Sequence, residues 1–127
     1  MDDRAGLGRT GEKRAERFLR RQGFRIVTRN YTCPGGEIDL VALDGETVVF
    51  VEVKTRTDRD HAEPHEAVNG PKQRRLARAA RFFLAQTEGL DRACRFDVIA
   101  ITRETPRRLH VEHFPEAFVP AGGRYDP

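Results

Sequence analysis

At 127 residues with a formal net charge of +3, the chain is sized for one domain with a substantial core. A composition 38% hydrophobic and 34% charged excludes a disordered chain, and no apolar run suggests a membrane span or a secretory leader. Cys33 and Cys94 show neither a disulfide-framework nor a zinc-site spacing, so the expected setting is the cytoplasm, with no membrane association.

A single domain over 1–127 is expected, with residues 1–8 as a mobile lead-in. From Arg9 to Gln22 the spacing of Ala15, Phe18 and Leu19 predicts a helix, with Gly23 as its terminator. Phe24–Tyr31 reads as a first strand, Cys33-Pro34-Gly35-Gly36 as a turn, and Glu37–Leu43 as a second strand. Asp44-Gly45 is a hairpin signal leading into a Val-rich third strand, Thr47–Thr55. Residues 56–66 are polar and read as a flexible loop. Gly70-Pro71 opens a second helix with Leu76, Ala80, Phe83 and Leu84 as its buried stripe, ending near Gly89. Arg95–Ile101 and Leu109–Phe114 complete a set of five strands, and residues 120–127 read as a loose tail. This order predicts an α/β fold, a mixed sheet flanked by helices.

Charges interrupt the apolar strands, and burying them is costly unless they are paired or bind metal. If Asp44-Gly45 forms a two-residue turn, Asp39 lies opposite Phe50, and Glu37 opposite Glu52. Strand alternation then puts Asp39, Glu52 and Lys54 on one face, with Ile38, Leu40 and Ala42 and the valines 49, 51 and 53 on the other. Glu12, one turn above Ala15, is placed to point from the first helix onto the sheet. Three carboxylates and a lysine could therefore share a pocket. Arg14, Arg17, Arg20 and Arg21 on the first helix, and Lys72, Arg74, Arg75, Arg78 and Arg81 on the second, frame it with positive charge. Lys13, Lys54 and Lys72 are the only lysines among 23 basic residues, and Arg does not freely replace a Lys that must lose its proton.

These residues carry a family resemblance. An acid on a first helix, an Asp in a strand after a glycine-bearing turn, and Glu-x-Lys in the next strand resemble the PD-(D/E)XK nuclease superfamily. The chain is more narrowly similar to the YraN-like family of small bacterial proteins classed as endonucleases, which resemble archaeal Holliday-junction resolvases. The resemblance runs from Gly8 to Phe118. It rests on Thr10-Gly11-Glu12 with Ala15 and Leu19, Arg29-Asn30-Tyr31, Gly36-Glu37-Ile38-Asp39-Leu40, and Val49 through Arg56. It continues through Pro64, Glu66-Ala67-Val68, Lys72-Gln73 and Arg95-Phe96-Asp97-Val98. The chain departs from the pattern at Ala62-Glu63, where the family tends to an aromatic–glycine pair, and at Ile38, where the superfamily often has Pro.

The resemblance implies a restriction-endonuclease-like core with a five-stranded mixed sheet flanked by helices. It implies Mg²⁺ or Mn²⁺ held by Asp39, Glu52, the Val53 carbonyl and Glu12. Lys54 would orient or activate the attacking water. Arg56, Lys72, Gln73 and Arg75 are the expected nucleic-acid contacts. The implied reaction is phosphodiester hydrolysis in branched or damaged DNA, leaving a 5′-phosphate, and the implied assembly is a homodimer. The alternative is a non-catalytic nucleic-acid-binding module that keeps the fold.

Other polar residues have plainer readings. Glu37 is read as an exposed strand residue in preference to a supporting acid. Asp97 is read as structural. His110 and His113 lie on opposite faces of a strand, and His61 and His65 lie in a loop without the partners zinc needs. Tyr31 and Phe50 are read as packing residues.

Overall fold

The computed structural model describes residues 4–57 and 68–120. Its elements run α1 (Arg4–Arg21), β1 (Arg25–Cys33), β2 (Gly36–Asp44), β3 (Thr47–Thr57), α2 (Gly70–Gln86), β4 (Cys94–Thr105) and β5 (Arg108–Phe118). The strands form one five-stranded sheet in the order β1-β2-β3-β4-β5. Among the described residues only β3 and β4 pair in parallel, joined by the crossover that contains α2. The expected mixed sheet flanked by helices is therefore what the chain forms. The expected loop at 56–66 lies outside the described residues from Asp58 onward, as do His61, Ala62-Glu63, Pro64, His65, Glu66-Ala67 and the tail after Pro120. No helix among the described residues is long and apolar enough to cross a membrane.

Both faces of the sheet are covered, and this is why β3 and β4 read as near-continuous apolar runs. On one face α1 packs over Leu40, Ala42, Val49, Val51, Ile99 and Ile101. On the other α2 packs Leu76, Ala79, Ala80, Phe83 and Leu84 over Ile38, Val41, Phe50 and Val98. Tyr31 and Phe50 both meet the edge of Phe83, so both are packing residues.

α1 begins at Arg4, five residues before the expected start, so most of the expected lead-in is helical. Leu7, Gly11, Ala15 and Leu19 make one buried stripe at four-residue spacing. Burying Leu7 contributes about 1.5–3 kcal/mol, which offsets the poor helix propensity of Gly6 and Gly8. Gly23 ends the helix at φ 94°, and the Phe24 N–H closes on the Leu19 carbonyl at 2.9 Å, as its glycine predicts.

The β2–β3 turn lies one residue beyond the expected position. Asp44 pairs with Thr47 and Leu40 with Val51, so the loop is Gly45-Glu46. Gly45 takes the positive φ, 61°, at the first loop position, which draws the turn one residue onward. A shift of two residues in the partner sum preserves parity. Val49, Val51 and Val53 still face α1, and Phe50 faces α2.

Alternation in β2 nevertheless breaks at Asp39. Leu40 belongs to the α1-side core, but Ile38 belongs to the α2-side core. On β1 the same level is held by Asn30, a non-glycine residue at φ 49°. Arg29 pairs with Leu40 and Tyr31 with Ile38, while no Asn30–Asp39 pair forms between them. The two strands therefore twist together at this level, and the expected common face for Ile38, Leu40 and Ala42 is not seen.

Candidate functional site

β3 stays hydrogen-bonded to β4 as far as Thr57, but its ladder with β2 stops at Leu40–Val51. Beyond that point β2 and β3 fork. A cavity of about 340 Å³ occupies the fork and is lined by Asp39, Glu52, Val53 and Lys54, with Lys72 and Arg75 of α2 forming its wall. Three of the four expected catalytic residues therefore meet.

Asp39 Oδ2 accepts the Val53 N–H at 2.8 Å, across the gap left by the broken ladder. In an extended strand the N–H and C=O of one residue leave on the same edge, so the Val53 carbonyl also faces the fork. The Asp39 carboxyl lies beside that of Glu52 in the cavity lining. Burial first, then the negative charge of Glu52 and its carboxyl as a hydrogen-bonding neighbour, push the Asp39 carboxyl up to about 8, against the opposing pull of the Val53 N–H and with a further push from Glu12. The half-buried Asp39 carboxyl is thus poised to hold a proton that a divalent cation could replace.

Lys54 is held below the usual lysine range by burial and by contact with Lys72, partly opposed by Glu52 and Asp39. Lys72 is more central than expected of a phosphate contact. Its Nζ lies 2.6 Å from Glu52 Oε2. Burial pulls its pKa down, but its bonds to Glu52 and Lys54 and the charges of Glu52 and Asp39 raise it on balance. The helix start that delivers it is well built. Asn69 caps α2 by accepting the Lys72 N–H at 3.1 Å, and Pro71 occupies the first turn. Gly36, at φ 155°, lies so close to α2 that a Cβ there would stand 3.0 Å from the Arg75 carbonyl oxygen. The glycine turn thus sets α2 directly against the fork.

Glu12 comes from the opposite layer. It lines an adjoining cavity with Asn30, Arg29 and Leu40 and not the fork cavity itself. Burial and then Glu37 raise its pKa, a hydrogen bond from Asn30 works the other way, and Glu52 adds to the rise. Its helix can sit this close because Gly11 faces Thr55, where a Cβ would come within 2.3 Å of the Thr55 methyl. Glu16, one turn on, pairs with Arg29 and Arg20 and fastens α1 to β1. Among the described residues no group of three His, Cys, Asp or Glu side chains comes together as a metal cage. The fork does suit a cation that needs only two carboxylates and a carbonyl, keeping water on its other positions, as Mg²⁺ does.

The remaining expected contacts divide. Arg75 lines the fork cavity. Arg56 extends from the end of β3 and donates to Thr102 Oγ1 at 3.0 Å. Gln73 is not at the cavity; its amide donates to the Val68 carbonyl at 2.9 Å and ties down the approach to α2. Glu37 is exposed, as expected, yet lines the fork.

Asp97 is fully buried and completely engaged. Arg95 Nε donates to it at 3.0 Å, the Glu116 N–H at 3.0 Å, and His113 Nε2 lies at 2.8 Å. Burial would raise its pKa, but these bonds outweigh that and hold it below the ordinary carboxylate value. His113 is wedged edge-on against Phe18 and Phe24, while His110 is exposed.

Sequence reasoning missed the Lys72–Glu52 contact and the Asn30–Glu12 bond. The rarity of lysine in an arginine-rich chain was the available signal for the first. The second depends on the left-handed Asn30, which no periodicity marks.

The model of a family described as "Uncharacterised protein family UPF0102" matches residues 11–101, a span that holds Glu12, Asp39, Glu52, Lys54 and Lys72. A UPF0102 protein of Syntrophotalea carbinolica is 50% identical over 116 residues, covering 91% of this chain and 93% of that protein. One from Geobacter metallireducens is 48% identical over 112 residues, covering 88% and 91%. One from Symbiobacterium thermophilum is 46% identical over 112 residues, covering 88% and 95%.

Proposed function

We propose a function for a chain that belongs to the UPF0102 family: metal-dependent hydrolysis of phosphodiester bonds in DNA, branched or damaged DNA above all. The observation that carries the reading is the pair of neighbouring carboxyls, Asp39 and Glu52, beside two lysines in one open fork. The sheet and its helices are compatible with the restriction-endonuclease-like core that the PD-(D/E)XK resemblance implies.

Asp39, Glu52 and the Val53 carbonyl would hold Mg²⁺ or Mn²⁺, which offsets the charge of a phosphodiester and lowers the pKa of water. Lys54 Nζ, held low, is suited to orient the attacking water and to take its proton in the unprotonated fraction. Arg75 and Lys72 on the α2 wall supply cations for the phosphate oxygens, with Arg56 extending that footprint. Glu12 adds negative charge from the neighbouring cavity, where Asn30 favours its ionised form. A two-fold branched substrate would call for a homodimer.

The test is cleavage of plasmid, flap and four-way-junction DNA with Mg²⁺ or Mn²⁺, alongside Asp39→Ala and Lys54→Ala. Loss of cleavage in both variants supports the site. Equal cleavage by the variants marks a contaminant and removes the assignment.

One observation favours a second reading, a non-catalytic nucleic-acid-binding module. Lys72 already neutralises Glu52, so the fork is balanced without a metal. Mn²⁺ titration followed by thermal shift separates the two, since a module without a metal site shows no shift that depends on Asp39 and Glu52.

A further inference from the structure

A phosphate-binding role alone does not account for where Lys72 lies. Its ammonium sits on a carboxylate that is only 7% exposed, and Lys54 lines the same cavity beside it. A charged Glu52 at that depth needs a cation against it. Lys72 is delivered there by the Asn69 cap and by the close approach of Gly36 to α2, so the contact is built into the docking of the helix. The lysine side chain is itself 30% exposed, so solvent lies on its other side.

We infer that Lys72 is a resident counter-ion that stands in for the divalent cation on Glu52 and withdraws to an incoming phosphodiester, so that metal and nucleic acid load the fork cooperatively. This rests on reading the fork as a metal-dependent phosphodiesterase site. An ammonium and a divalent cation cannot both sit within a few ångströms of one carboxylate oxygen. Their repulsion at 4 Å is on the order of several kcal/mol at the effective dielectric of a protein surface. Lys72 therefore competes with the metal. A phosphate gives the ammonium another charge-assisted partner within reach of its flexible stem, and removes that competition. Linkage makes the effect reciprocal, so bound metal tightens nucleic-acid binding by the same factor. A lysine that only anchors α2 produces no such coupling.

The experiment is Mn²⁺ binding to the wild-type chain, Lys72→Met and Lys72→Arg, followed by calorimetry and by the electron paramagnetic resonance signal of free ion. Each is measured alone and with a short DNA duplex of non-hydrolysable linkages, with Glu52→Gln plus duplex as the blank for ion held by DNA. Lys72→Met is expected to bind Mn²⁺ about 10-fold more tightly than wild type, and Lys72→Arg about as wild type. The duplex is expected to tighten Mn²⁺ binding to wild type about 10-fold and to leave Lys72→Met unchanged. Equal or weaker Mn²⁺ binding by a folded Lys72→Met overturns the inference and leaves the metal site standing. If Lys72→Met fails to melt cooperatively, the wild-type arm decides, and no gain with duplex overturns the inference. Mn²⁺ binding by none of the proteins overturns both this inference and the metal reading.

Discussion

Asp39 accepts the Val53 N–H at 2.8 Å where the β2–β3 ladder has already ended, so a side-chain carboxylate takes the place of a strand's carbonyl. The bond fixes Asp39 beside Glu52 and couples the acid to the backbone edge that carries Val53.

The Asp39 carboxyl rises from 3.8 to about 8 on folding, chiefly through burial and Glu52. A raised folded pKa means that the native state holds a proton which the unfolded chain has lost. The associated stability is complete below pH 4, falls as pH climbs toward 8, and is gone above it. Melting temperature of the metal-free protein should therefore fall across this window, and Asp39→Asn should flatten the fall. An unchanged slope in Asp39→Asn would contradict the shared-proton account. Saturating Mn²⁺ should also suppress the decline, by replacing the proton.

Gly11→Ala is expected to destabilise the chain although alanine is the better helix former. The helix gain is about 1 kcal/mol, whereas overpacking against the Thr55 methyl costs about 1–3 kcal/mol. Thr55→Ser deletes that methyl and should restore much of the loss. Urea denaturation of the two single variants and the double variant measures the coupling, and simple additivity would contradict the contact.

Asn30→Gly keeps a residue that tolerates φ 49° and removes the bond to Glu12. The Glu12 pKa should rise further, because burial and Glu37 then act with less opposition. Carbon-13 NMR titration of the Glu12 carboxyl reads this directly, and a constant value would remove Asn30 from the site.

Asp97→Ala should cost about 3–5 kcal/mol, because it leaves Arg95 Nε, His113 and the Glu116 N–H without their partner around an empty, fully buried position, with Asp44 still holding the other end of Arg95. The folded pKa of Asp97 is depressed, so its stabilisation is present above about pH 4 and is lost as pH falls below the ordinary carboxylate range. Acid unfolding of the wild-type chain, set against the variant at neutral pH, checks both statements.

The candidate face was legible because strand period forgives an error of two in the partner sum. Moving the turn from Asp44-Gly45 to Gly45-Glu46 changed every cross-strand partner, yet Glu52 and Lys54 kept their side. The break at Asp39 was hidden, because it depends on a left-handed Asn30 in a strand that otherwise alternates. The start of α1 was also hidden, since Gly6 and Gly8 argue against a helix that tertiary burial of Leu7 secures. Glu12 was expected to share the pocket of the acids but lines its own cavity, because helix spacing gives an azimuth and not the tilt of a helix across a sheet. Lys72 reaches Glu52 only through the crossover, and local pattern carries no information about that distance.

The one parallel ladder, β3–β4, gives the protein an order of assembly as well as a shape. Asp39, Glu52 and Lys54 lie on a meander of neighbouring sequence, whose short loops close at small entropic cost. α2, and with it Lys72, docks only when the chain between Thr57 and Cys94 has been drawn back across the sheet, a contact of much larger sequence separation. Contact order therefore predicts that the acids meet before their lysine arrives.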